Sequence, residues 1–134
     1  MGDLTARFLN IDLEVRSRKS LAPLVAACPS SYQPLLTTGR ANPGWLIVNP
    51  GGIPTTAEIA AKNLLRQIEG LRGTARRSWK EAHRRVFDIG VEAGGPGAVF
   101  EGVRLTSETL RRIAAVGASI QVTVYPAESE REVR

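Results

Sequence analysis

The sequence predicts an α+β fold, a ferredoxin-like plait of two βαβ halves with an inserted helical pair. Three observations predict it. Residues 8–49 and 86–126 both read strand, helix, strand. Each closes on an apolar strand ended by proline, Ile47-Val48-Asn49-Pro50 in one and Val122-Thr123-Val124-Tyr125-Pro126 in the other. The segment between them, 55–85, reads as two helices. Two such halves predict an antiparallel sheet covered by helices on one face. The alternative is a small open α/β sheet in which strand 45–48, helix 55–71 and strand 86–92 form a crossover unit.

The elements follow in order. From Leu9 to Arg16, apolar Leu9, Ile11, Leu13 and Val15 alternate with polar Asn10, Asp12, Glu14 and Arg16, the period of a half-buried strand. Ser20 is placed to cap a short helix whose Leu21, Leu24, Val25 and Cys28 share one face, with Pro23 tolerated in its first turn. Pro29 stops it. Residues 30–44 read as loop. Trp45-Leu46-Ile47-Val48 reads as a strand buried on both faces, with 49–52 a turn whose glycines lack the spacing of a phosphate loop. Thr55 and Glu58 form a capping-box pattern before a helix burying Ala61, Leu64, Leu65, Ile68 and Leu71. Thr74 opens a second helix, running to about Arg85. Phe87, Ile89 and Val91 mark a strand, and 94–97 a turn. Thr106 caps a last helix between Leu105 and Leu110, with Leu110, Ile113 and Ala114 as its buried stripe and Gly117 at the left-handed position after its end. Ile120, Val122 and Val124 form the final strand.

The 134 residues, 43% apolar, support one domain over 1–126 and a polar tail, 127–134. A chain of this size buries about two-thirds of its unfolded surface and needs neither metal nor disulfide. Disorder is excluded by the apolar content. No run approaches the roughly 18 apolar residues of a membrane span. Cys28 is the only cysteine, so no internal disulfide can form, and its neighbours Val25, Ala26 and Ala27 mark a small buried thiol. Met1-Gly2-Asp3-Leu4 lacks the pattern of a secretory signal, and Ala6 argues against myristoylation. The expectation is a cytoplasmic protein with no membrane association, monomeric or homodimeric, with strand 45–48 as a candidate edge for a second copy.

Charge is local. The net charge is +5 and the pI about 10.1. Between Arg72 and Arg85, Arg72, Arg76, Arg77, Lys80, Arg84 and Arg85 face only Glu81, which leaves 12 basic and 12 acidic residues elsewhere. On a helix, Arg76, Arg77, Lys80, His83 and Arg84 spread over about 120° of one face, with Ala75, Trp79, Ala82 and Val86 adjoining. The candidate partner-binding residues are therefore Arg72, Arg76, Arg77, Lys80 and Arg84, facing an acidic protein partner or, as the alternative, nucleic acid. Trp79 reads as a core anchor. Aromatic residues make up only 5% of the chain, too few for a base-stacking platform.

Catalytic chemistry is sparse. His83 is the only histidine, which excludes a His-rich metal site. Cys28 follows a helix C-terminus, where the dipole opposes a thiolate. No serine sits in a nucleophile motif. Asp12, Glu14, Asp88 and Glu92 lie on the polar faces of two strands and would cluster as an acid/base or metal site if those strands are neighbours. No catalytic residue, metal or cofactor is assigned, and a non-enzymatic protein is expected.

The strand Phe8 to Val15, the Gly44-Trp45-Leu46 element, and the stretches Val86 to Gly90, Leu110 to Ala118 and Val122 to Pro126 together resemble a bacterial family classed only as a domain of unknown function. The resemblance covers most of the chain, its motifs are structural, and the segment Arg16 to Gln33 is shorter and less acidic than the family pattern. It implies an α+β fold and no catalytic residue. By analogy, small bacterial domains of this sort are interaction modules, some of them immunity proteins that block a toxin.

Overall fold

The structure, a computed structural model, describes residues 6–29, 33–37, 44–49, 56–97 and 102–126. The alternating segment at the N-terminus forms β1 (Arg7–Arg16), with Ile11, Leu13 and Val15 buried. It is followed by α1 (Ala22–Ala27), β2 (Gln33–Thr37), β3 (Trp45–Asn49), α2 (Ala57–Glu69), α3 (Gly73–Glu81), β4 (Arg84–Glu92), α4 (Ser107–Ala115) and β5 (Ser119–Tyr125). The five strands make one sheet in the order β2-β3-β1-β4-β5.

The class is α+β, but the order departs from that of a plait. In a plait, each βαβ half is split by a strand from the other half. Here β1 pairs directly with β3, antiparallel, and β4 pairs directly with β5, parallel. The connection from β4 to β5 contains α4 and is long enough for the crossover that a parallel pair requires. The split unit lies elsewhere. β3 and β4 both run antiparallel to β1, which sits between them, and α2 and α3 connect them. The alternative reading therefore found the right crossover but not the strand inserted in it. Strand 45–48 is not an edge either, because β2 covers its outer side. β2 falls where a loop is expected; Pro34 lacks the N–H of an inner strand and is accommodated on an edge, beside a register shift between Pro34 and Leu36.

The cross-strand register sorts the two faces. Leu13 faces Phe87 and Val48, and Val15 faces Leu46, so these side chains share the core face with Ile11 and Ile89. Onto them pack Leu21 and Leu24, the stripe Ala57, Ala60, Ala61, Leu64, Leu65 and Ile68, then Ala75, Trp79 and Ile113. Leu46 and Val48 are buried but Ile47 is half-exposed, so β3 is buried on one face rather than both.

Helix ends follow local chemistry, with two corrections. Ser20 accepts the N–H of Ala22 at 3.2 Å, although the N-cap of α1 is Leu21. The cap of α2 is Thr56, whose Oγ1 accepts the Ile59 N–H; Thr55 lies outside the described residues. Glu58 does not close a box with that cap. It reaches across to the N-terminus of α4 and accepts the Thr106 N–H at 3.0 Å, the Thr106 hydroxyl at 2.9 Å and the Thr109 hydroxyl at 2.8 Å. These bonds, that from the Thr106 backbone first, hold the Glu58 carboxyl at about 2. They also turn α4, so that Thr109 and Ile113 are buried while Leu110 and Ala114 are exposed. Gly117 has φ +77, the left-handed conformation expected after the helix. The tail at 127–134 and the turn at 50–52 lie outside the described residues.

Candidate functional site

Helix α3 is fixed by one face and offers the other. Ala75, Ser78 and Trp79 are buried, whereas Arg72, Arg76, Arg77 and Lys80 are exposed. Six of the fifteen described lysines and arginines pair with a carboxylate: Arg7 with Glu92, Arg16 and Arg84 with Glu14, Lys19 with Glu81, Lys62 with Glu58, and Arg112 with Glu69. Among the described residues no carboxylate pairs with Arg76, Arg77 or Lys80. Three unneutralised charges within two turns of one anchored helix form a cationic ridge.

The fifth sequence candidate is placed differently. The helix ends at Glu81, Ala82 is extended, and the His83 N–H donates to the Arg16 carbonyl at 2.9 Å, so the chain has already turned into the sheet. Arg84 is a strand residue. Its Nε donates to Glu14 at 2.9 Å and its Nη2 to the Gln121 side chain at 3.3 Å. Glu14 is held below the ordinary carboxylate range by these arginines, against the cost of its burial. The basic run in the sequence thus crosses a helix-to-strand boundary that charge spacing alone does not mark.

Arg85 and Trp79 set the position of the ridge. The Trp79 indole N–H donates to the Val116 carbonyl at 2.9 Å. The Arg85 guanidinium lies 5.8 Å from the Trp79 ring centroid and donates to the carbonyls of Trp79 (2.9 Å), Lys80 (3.3 Å) and Gly117 (3.0 Å). One side chain thereby satisfies the last carbonyls of α3 and ties them to the turn between α4 and β5. A cation over an indole adds attraction of about 0.5–1 kcal/mol at a partly exposed site. Trp79 is the core anchor the sequence predicts, 5% exposed.

Beside this clasp lies a concavity of about 390 Å³, lined by His83, Arg84, Arg85, Gly117, Ser119 and Gln121 among others. It opens where β4 and β5 begin, next to the C-terminal end of the ridge. Arg85, Gly117, Ser119 and Gln121 are absent from the sequence candidates, because only the parallel β4–β5 pairing brings 83–86 beside 117–121.

The carboxylates do come together. Asp12 and Asp88 are direct cross-strand partners on the face of the sheet opposite the core. Asp88 accepts the Thr123 hydroxyl at 2.7 Å, while Asp12 Oδ1 is buried without a hydrogen-bond partner among the described residues. Burial, and then the charge of Asp88, push the Asp12 carboxyl above its usual value. Glu14 and Glu92 of the same face are spent on Arg16, Arg84 and Arg7. Among the described residues no three His, Cys, Asp or Glu side chains group to hold a metal ion. Cys28 is half-buried, beside a small apolar gap with Leu24, Ile68 and Trp79, and burial raises its thiol pKa.

Comparison with family models, curated proteins and solved structures finds no match. No helix among the described residues is long and apolar enough to cross a membrane.

Proposed function

We propose that this chain is a small non-enzymatic binding protein that engages an acidic protein surface through Arg72, Arg76, Arg77 and Lys80, with Arg84 in the adjoining concavity. The observation that carries it is the set of three exposed, unneutralised cations on an anchored helix bordering a polar depression. Convex charge next to concave polar surface suits a partner presenting several carboxylates, with one of them reaching past the ridge toward Arg84 and Ser119. Complementary fields of this kind speed encounter and select partners more than they add raw affinity. An immunity-type role, blocking a partner by occupying its acidic surface, accords with the resemblance to small bacterial modules.

The test is anisotropy titration of a labelled polyglutamate peptide and of labelled duplex and single-stranded DNA. The intact chain should bind the peptide, and reversal of Arg76, Arg77 and Lys80 to Glu should abolish that binding. The nucleic-acid reading makes the opposite forecast. For about six phosphate contacts, affinity for DNA should fall on the order of a thousandfold between about 50 and 200 mM salt. Unchanged peptide binding in the reversed variant would remove the ridge from the site.

A further inference from the structure

Among the described residues, one edge of the sheet carries no protection against pairing. Strand β5 is terminal in the strand order, and no described strand covers its outer side. Its seven residues, Ser119-Ile120-Gln121-Val122-Thr123-Val124-Tyr125, include no charge and no proline, two of the usual devices that blunt an edge. Of the six large apolar residues exposed among the described residues, four are on this strand: Ile120, Val122, Val124 and Tyr125. Val122 and Val124 are 57% and 63% exposed. Yet they lie on the core side of the sheet, in register with Ile89 and Val91. The core face therefore runs on past its helical cover at this edge.

The hydrogen-bonding phase of the strand is also defined. The Ala93 N–H donates to the Tyr125 carbonyl at 2.8 Å, so the backbone groups of Tyr125 point toward β4. Along a strand this direction alternates. Ser119, Gln121 and Thr123 thus also face β4, while Ile120, Val122 and Val124 present their N–H and C=O groups outward.

We infer that β5 pairs antiparallel with β5 of a second copy of this chain, about a two-fold axis through Val122, to give one continuous sheet across both copies. The sequence of the strand is self-complementary in this register. Val122 meets its own copy, Ile120 meets Val124, and all three positions are hydrogen-bonded pairs, giving about six new inter-strand bonds. On the opposite face, Gln121 meets Thr123, pairing polar with polar, and Ser119 meets Tyr125. A chain of net charge +5 repels its own copy, and a charge-free strand is the place where two such copies can approach. A contact of seven residues per copy falls below the roughly 1,200 Å² of standard specific interfaces, so the dimer is weak and depends on concentration.

The experiment is sedimentation equilibrium of the intact chain over a wide concentration range, alone and with two substitutions. Val122→Lys puts like charges on the two-fold axis. Val122→Pro removes the outward N–H while leaving the ladder to β4, which uses the alternate residues. The expected result is a reversible monomer–dimer equilibrium whose dissociation constant rises at least about tenfold in each variant, with the far-ultraviolet circular dichroism unchanged. Reversal of Arg76, Arg77 and Lys80 to Glu lowers the net charge of +5 by six and so relieves the repulsion between copies; the dimer is then at least as tight, which separates this contact from the ridge. A chain that stays monomeric at every concentration, or a dimer indifferent to both substitutions, overturns the inference.

Discussion

Replacing Asp12 with Asn should make the protein more stable, although it removes a polar strand residue of ordinary appearance. Asp12 faces Asp88 directly across β1 and β4, and its Oδ1 is buried with no partner among the described residues. Like charges placed directly opposite on a sheet are destabilising. Asparagine removes the charge whose burial and whose neighbour Asp88 raise the Asp12 pKa, and its amide N–H can donate to the Asp88 carboxylate across the pair. At this half-exposed site the combined gain at neutral pH lies at about 1 kcal/mol. At about 2.1 cal/mol/K per residue the unfolding entropy of this chain is about 280 cal/mol/K, which converts the gain to about 3–4 °C in Tm. The sign with pH is fixed by the raised pKa of the folded state. The penalty is absent below the unfolded value of 3.8 and grows as pH rises through the folded value, so the advantage of Asp12→Asn should close in acid. Thermal unfolding followed by circular dichroism at neutral and acid pH measures both effects, and the gain should shrink in an Asp88→Asn background. A lower Tm at neutral pH, or a gain unchanged by acid, would refute the reasoning.

Two further outcomes rest on the fold. Glu58 has a carboxyl depressed to about 2, so its stabilising bonds to α4 are fully present above its ordinary value of 4.5 and are lost as pH falls toward 2; Glu58→Gln should flatten the acid limb of a stability–pH curve in that window. Arg85→Met keeps much of the apolar stem but withdraws the guanidinium from the Trp79 ring and from three carbonyls, of which that of Trp79 keeps the Ala82 N–H. It should lower stability by about 2 kcal/mol, read as a shift in the urea midpoint at constant slope.

Much of this architecture is legible in the sequence wherever one period dominates. The two-residue alternation from Ile11 to Arg16 and the helical stripe Ala61, Leu64, Leu65 and Ile68 each state which side is buried, and the structure agrees. Leu9 does not follow, because the register shifts between Phe8 and Asn10 and Phe8 packs against the core instead, and Leu71 lies past the end of α2 at Glu69. Pairing is not legible in the same way. β4 and β5 look like halves of a split unit until their direct contact is seen, because the sequence of a strand says what it buries and not which strand lies beside it. Pro34 disguises β2 as loop, since proline is tolerated at an edge. Leu110 is misplaced because Glu58, far away in sequence, draws Thr109 inward and rotates the apolar stripe. For the site, Arg76, Arg77 and Lys80 are visible as exposed charges on an amphipathic helix. Arg84 and Arg85 look like more of the same, yet one serves Glu14 and the other three main-chain oxygens.

The clasp of Trp79 and Arg85 has a consequence for recognition. Because the indole and guanidinium bolt the basic helix to the turn before β5, its backbone is ordered in advance, and in the proposed binding role it would have little freedom to surrender on docking. For that role, selectivity would then rest on shape as well as sign, since the helix backbone sets where each charge begins before a partner arrives.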